Sequence, residues 1–404
     1  MNIYLKIIIN AIGIGGGQLL FYIATPHLTK IFNVAEFGEY SLILAYSALL
    51  SSIISLRYDA AILMTSGEQT KKLLHGVVFV SSTVAFVSWI GIQLYAKTQG
   101  VNCANTAFYD LIFVCGFAGA LFNINGSLYL NQERYLALAV IRVLQPLLML
   151  FMILMRTFSL TEAWRNSWIS VLIISYFGVY SSYNKLDISG SIKELRSFWI
   201  YPTRLAPLAA LDTAASWIPV VVIGKYYGNS VIGNYSQIHR LIAGPVLLLI
   251  AASGQVVLQL AKKQIEKNES LRSIINIFSF LGLVIGLFYI LVVWCFGEIL
   301  LGKALTGEWR TDTNYVILIL LPSIFRLVVS PLSGLLLVVR QYDAVIVWQT
   351  VHFVLTLSNG LLHSKNSTVD SYLVKTAILD IFSYTMYYAV ILKASGVSKV
   401  REQS

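Results

Sequence analysis

IATPHLTKIFNVAEFGEYSLI, residues 23–43, and IPVVVIGKYYGNSVIGNYSQI, residues 218–238, align when the sequence is slid along itself by 195 residues. Six of the twenty-one positions are identical: Ile23/Ile218, Lys30/Lys225, Gly38/Gly233, Tyr40/Tyr235, Ser41/Ser236 and Ile43/Ile238. Phe32 and Tyr227 match as aromatics. Self-similarity at a fixed offset is the mark of a duplicated unit. Each window bridges the first and second of six apolar runs, so the chain reads as two copies of a six-run design.

The runs are membrane spans. Of 404 residues, 57% are hydrophobic and only 12% charged, and the mean hydropathy is +0.73. That composition is too apolar for a soluble domain. About 20 apolar residues cover ~30 Å of hydrocarbon at 1.5 Å each. Twelve such runs fall near 7–28, 39–64, 73–96, 107–130, 136–155, 166–183, 201–223, 231–260, 273–296, 313–339, 344–362 and 371–392. Lipid cannot hydrogen-bond a free backbone, so each run is expected to be helical. The predicted fold is an all-α membrane protein with twelve transmembrane helices in two six-helix lobes. Six is even, so the lobes insert in the same sense, related by a pseudo-two-fold along the membrane normal. The lobes span 1–183 and 199–404, and the polar stretch NKLDISGSIKELRSF, 184–198, is the cytoplasmic linker. It obeys the positive-inside rule and also offers basic residues to anionic lipid.

A net charge of +10 does not point to nucleic acid, because the basic residues are dispersed. With the N-terminus inside, fifteen lysines and arginines fall on cytoplasmic segments and eight on outer loops. This asymmetry places both termini in the cytoplasm. The MNIYLK start, followed by an apolar run with no A-x-A-like site, reads as an uncleaved first span. Cys103, Cys115 and Cys295 have no C-x-x-C spacing, and the five histidines include no i,i+4 pair, so no disulfide framework, metal or cofactor is expected. GIGGGQ, 13–18, lacks the last glycine of a phosphate-binding fingerprint and lies inside a span, where small residues let helices approach.

Six basic residues remain for the spans themselves: Arg57, Arg142, Arg204, Arg240, Arg326 and Lys375. A charge in hydrocarbon costs about 2.5–3.5 kcal/mol on insertion scales, so such residues face a protein interior or a wet cavity. Arg326 lies about 13 residues from either end of its run, and Arg240 roughly 14 Å inside its own. Arg57 and Arg142 are close enough to the inner end to reach headgroups. Arg204, three residues into its span, reads more plainly as an interfacial charge. The acids are Asp59, Asp110, Asp212 and Asp380. In a regular helix Arg57 and Asp59 stand ~200° apart and cannot pair, which sends Arg57 toward a lumen and Asp59 toward a neighbouring helix. Asp212 follows Arg204 at ~80° of rotation, so both can border one cavity. Asp380 leads a face with Tyr384 and Tyr387 that reads as packing or as an interfacial aromatic belt. His239 reads as a packed histidine or as a proton sensor beside Arg240. Cations exceed anions, and arginine's planar fork suits phosphate. An arginine-lined cavity would fit a pyrophosphate-linked substrate, with neutralisation by the aspartates and backbone carbonyls as the alternative.

Several stretches taken together resemble the Wzx-type O-antigen and polysaccharide flippases of the multidrug/oligosaccharidyl-lipid/polysaccharide exporter superfamily. They are TPHLTKIFNVAEFGEYSL (25–42), LRYDAAIL (56–63), LNQERYLALAVIRVLQ (130–145), YPTRLAP (201–207) and GNYSQIHRLIAGPVLLL (233–249). The resemblance covers the first 260 residues, and the last third only by span count. It implies a bacterial inner-membrane protein, not an enzyme, that moves undecaprenyl-pyrophosphate-linked repeat units to the periplasmic leaflet by alternating access. It implies a lipid-linked oligosaccharide substrate, contact with membrane lipids, and a polysaccharide polymerase and chain-length regulator as candidate partners. Arg57, Arg142 and Arg240 match family positions implicated in binding the anionic substrate. Arg204, Arg326 and Lys375 join them as candidate substrate-binding residues, and Asp59, Asp212 and Asp380 are candidate coupling or structural acids. Asp59 departs from the family's more common glutamate. Two alternatives remain: a cation-coupled multidrug exporter of the same superfamily, and a membrane glycan polymerase. The exporter would need acidic cavities, and the polymerase a large outer loop, whereas the longest here is about sixteen residues, 297–312.

Overall fold

Over its described residues, each of the twelve apolar runs falls largely on helix in the computed structural model, which describes residues 3–99, 106–156, 158–179, 188–267, 269–339, 341–363 and 367–396. Cys103, Lys185, Arg340, Lys365, Lys399, Arg401 and linker positions 184–187 lie outside these residues. In chain order the helices are α1 (Ile3–Ile31), α2 (Val34–Ile54), α3 (Tyr58–Ile62), α4 (Gly67–Thr98), α5 (Ala107–Asn131), α6 (Tyr135–Leu154) and α7 (Leu160–Val179). After these come α8 (Ile188–Ser197), α9 (Ala206–Tyr227), α10 (Asn229–Glu266), α11 (Arg272–Ala304), α12 (Thr313–Val329), α13 (Ser333–Val338), α14 (Tyr342–Leu361) and α15 (Val369–Gly396). Among the described residues ten segments are long and apolar enough to cross a membrane. The protein is an all-α, multi-pass membrane protein.

Two spans are interrupted. The tenth passes through a 3-10 turn, Ser330–Leu332, at Pro331, which cannot donate to the helical ladder. The second breaks between α2 and α3, where Leu56 (φ 46) and Arg57 (φ 58) are left-handed without being glycine. The seventh span opens on a π-helical turn, Tyr201–Leu205, ahead of α9.

The chain forms two compact units. Unit one comprises 1–24 and 39–217, and unit two 25–38 and 218–404. In unit one the GIGGGQ glycines hold α1 against α6: a Cβ on Gly13 would stand 2.7 Å from Ala139 Cα, and one on Gly17 3.2 Å from Arg142 O. The core gathers Tyr58, Ile62, Leu73, Leu74, Ile124, Leu128, Leu138 and Val171. The linker is partly a helix, α8, which docks where Gly76 leaves room for Leu195. Tyr58 Oη donates to Leu195 O at 3.2 Å and Gln69 Nε2 to Glu194 Oε2 at 2.8 Å.

In unit two, α11 turns Phe280, Leu283, Leu287, Phe288 and Leu291 outward, while Gly282 and Gly286 face Val328 and Ile324 of α12. Such close approach at small residues is how helices associate in lipid. The sequence repeat is also a contact. A Cβ on Gly38 would collide with Asn229 O, and one on Gly233 with Val34 O. Val34 and Asn229 occupy the same repeat position, as do Gly38 and Gly233, so the two windows grip each other reciprocally.

Candidate functional site

Unit two holds a buried charged cluster built from four helices. Arg326 leaves α12 half-buried, its Cζ 5.5 Å from the ring centroid of Tyr384 on α15. The Arg326 charge acts on Asp380 of α15, His352 of α14, and Tyr235 and His239 of α10. His352 is 3% exposed, its Nδ1 lying 3.1 Å from Ser383 Oγ and 3.9 Å from Asp380 Oδ1. Trp348 stacks on both His352 (5.3 Å, 8°) and Tyr387 (3.9 Å, 9°), and its Nε1 donates to Ser383 O at 2.9 Å. Tyr384 and Tyr387 are thus buried packing around a charge and not an interfacial belt. Stacked rings of this kind fix the backbone positions that carry Asp380 and His352.

The charged stretch of unit one is different in kind. Because the helix breaks at Ser55–Arg57, the ~200° separation of a regular helix does not apply, and Arg57 Nη1 comes within 3.9 Å of Asp59 Oδ2. The expectation that these two point to opposite faces is corrected by that left-handed turn. The Arg57 side chain is 43% exposed and that of Asp59 only 12%. Asp59 Oδ1 is buried with no hydrogen-bond partner among the described residues. The short helix α3 is pinned by Asn131, whose Nδ2 donates to Ile62 O (2.9 Å) and Thr65 O (2.7 Å). Arg57 therefore emerges from the start of a fixed helix.

The other candidates are dispersed. Arg142 on α6 and Arg240 on α10 are half-buried, whereas Arg204 in the π-helical turn, Asp212 on α9 and Lys375 on α15 are exposed. His239 stacks on Tyr235 at 5.8 Å. Asp110 sits in the first turn of α5, accepting from Gln93 Nε2 (2.8 Å) and Thr106 Oγ1 (2.9 Å). Sequence reasoning passed over His352, Trp348 and Ser383, which carry no shared spacing with Arg326. It also passed over Arg310, which binds Asp312 (Nε to Oδ1, 2.6 Å) and Asp370 (Nη1 to Oδ1, 2.7 Å; Nη2 to Oδ2, 2.9 Å). Those hydrogen bonds, from Asp370 first and then Asp312, push the guanidinium further toward its charged form, and Arg310 holds the Asp312 carboxyl below its ordinary range. No group of His, Cys, Asp and Glu able to hold a metal ion occurs among the described residues.

No family model matches the sequence, and no curated protein resembles it at the sequence level. Solved structures do share the fold. The lipid II flippase MurJ in an inward closed conformation aligns with a TM-score of 0.72 and 14% identity, covering 96% of this chain and 87% of that one. A multidrug resistance MATE family transporter of the MOP superfamily, inward-facing, gives 0.62 and 13%, covering 94% and 99%. A MOP superfamily transporter from Pyrococcus furiosus, described as having a binding pocket of reverse polarity, gives 0.62 and 14%, covering 96% and 94%. The chain has the all-α, twelve-helix, two-lobe fold of these transporters.

Proposed function

We propose that the protein is a flippase that moves undecaprenyl-pyrophosphate-linked oligosaccharide repeat units, of O-antigen or a related surface polysaccharide, across the bacterial inner membrane by alternating access. The observation that carries this reading is the Arg326 cluster. A guanidinium is held within the apolar part of unit two, with a buried carboxylate and two imidazoles as its charged and titratable surroundings. A diphosphate offers Arg326 two charge-assisted hydrogen bonds in one plane. Asp380 feels the Arg326 charge and competes with an arriving diphosphate for it. Arg57, Arg142 and Arg240 supply further positive charge along the route, with Arg204 and Lys375 at its margins, and Asp59 and Asp212 balance it. The six-helix lobes 1–183 and 199–404, joined by 184–198, are the moving parts, and both termini lie in the cytoplasm. A polymerase and chain-length regulator act on the delivered unit.

Replacing Arg326 or Arg240 by alanine is expected to abolish surface polysaccharide while the protein still inserts. Normal polysaccharide in both variants overturns the reading. A multidrug exporter shares the fold, and a drug-susceptibility panel on a deletion strain separates the two. Unchanged susceptibility is expected. The polymerase alternative is weakened further by α11, which extends to Ala304 and leaves only residues 305–312 as the connection to α12.

A further inference from the structure

A cavity of about 970 Å³ lies wholly within unit two, where the connections α1–α2, α9–α10 and α11–α12 meet. It is lined by none of the nine candidate site residues that the sequence singled out. Under the basic-residue asymmetry this end faces away from the cytoplasm. Its volume is at the upper end of the roughly 300–1,000 Å³ of small-ligand sites. We infer that this cavity is a glycan subsite, which receives sugar rings of the transported unit apart from its phosphates. The inference rests on the flippase reading and adds to it a second, chemically distinct contact.

Charge argues against a phosphate ligand. Arg310 lines the cavity, but four of its five N–H groups are taken: Nε and one Nη2 hydrogen by Asp312 (2.6 and 3.3 Å), Nη1 and the other Nη2 hydrogen by Asp370 (2.7 and 2.9 Å). Its flat face rests on Tyr315 at 4.2 Å. It therefore has little left for a phosphate. The remaining charges on the wall, Lys30 and Glu308, are one of each sign. Lys30 and Glu308 cancel and Arg310 is more than offset by its two carboxylates, so the wall does not select a diphosphate.

The wall joins aromatic surface to short polar groups. Trp309, half-buried, meets Phe37 edge to face at 5.4 Å, and exposed Ser230, Lys30 and Glu308 stand around it. A pyranose has C–H faces that meet the negative face of an indole and hydroxyl edges that meet such polar groups, so it matches both parts. The walls are also preformed. Thr306 N donates to Thr29 Oγ1 at 3.3 Å, and the Asn234 amide brackets the Arg310 backbone, accepting from its N at 2.6 Å and donating to its O at 3.2 Å. The reciprocal contacts at Gly38 and Gly233 hold the two repeat windows that supply most of the lining. Preorganisation of this kind lowers the ordering cost of binding a flexible oligosaccharide.

The test uses the purified full-length protein in nanodiscs and, as probe, the phosphate-free oligosaccharide repeat released by mild acid from the strain's own surface polysaccharide. Saturation-transfer NMR and titration read its Kd. Binding to the wild type is expected, weakened at least tenfold by Trp309→Ala and by Ser230→Trp, which fills the cavity from an exposed position and removes no contact. Inorganic pyrophosphate is expected not to compete. No binding, or binding unchanged in both variants, or competition by pyrophosphate, overturns the inference. In each of those cases a loss of surface polysaccharide in Arg326→Ala cells leaves the flippase reading standing. Normal polysaccharide in those cells falls on that reading instead.

Discussion

The two charged sites differ in where their counter-charge comes from. In unit one Arg57 meets a carboxylate only two residues away, at 3.9 Å across a helix break, with the arginine 43% exposed. In unit two Arg326 lies 5.5 Å from the Tyr384 ring, and its charge reaches the buried pair His352 and Asp380, 3% and 13% exposed, on helices far apart in sequence. An exposed pair is worth about 0–1 kcal/mol. Removing one partner of a buried pair costs about 3–5 kcal/mol because the other charge is stranded. The first site can lend its arginine to a ligand cheaply; in the second a ligand competes with buried groups for the same charge.

Asp380→Asn should give the largest effect. It removes a buried carboxylate that lies 3.9 Å from His352 Nδ1 and feels the Arg326 charge, and the thermal unfolding midpoint is expected to drop clearly. Adding Arg326→Ala to it should recover most of that loss. A double variant no more stable than Asp380→Asn breaks the comparison. Arg57→Ala is expected to leave stability within about 1 kcal/mol of wild type while lowering surface polysaccharide several-fold, with Arg57→Lys intermediate. Full export in both variants removes Arg57 from the route. Leu56→Gly relieves the strain of a non-glycine residue at φ 46, roughly 1–3 kcal/mol, but also removes a half-buried side chain packed on the unit-one core, so stability is expected to change little. Lower export at unchanged stability would sharpen the case for a functional break.

The Arg310 cluster supplies the smallest effect. The folded-state value of Asp312 is depressed, through its hydrogen bond from Arg310, so its contribution is present above the ordinary carboxylate range and lost as pH falls through the folded value. Stability attributable to it should be flat from pH 7 to 5 and decline only in stronger acid. A decline already complete at pH 5 contradicts that sign.

Much of the architecture was legible because apolar length and repetition are local signals. The twelve runs and the small-residue face of α1 follow from residue type. The break at 55–57 was not, because neither Leu56 nor Arg57 announces a left-handed turn and no glycine or proline stands there. The linker's polarity was visible in sequence, but not that Leu195 of α8 would find the space beside Gly76. The unit-two site was half legible: depth singled out Arg326, and Asp380 was noted. Yet residues 326, 352 and 380 share no period, and only tertiary packing joins them. Arg310 was read as one more outer-loop charge, since its partners Asp312 and Asp370 lie on either side of α12, α13 and α14.

The most direct measurement is the leaflet in which lipid-linked repeat units accumulate when cells depend on Arg326→Ala. A glycosidase or lectin confined to the periplasmic face of intact spheroplasts reports it. The account predicts units that accumulate and stay protected until the membrane is broken. Units accessible in intact spheroplasts, or converted normally to polymer, would contradict it.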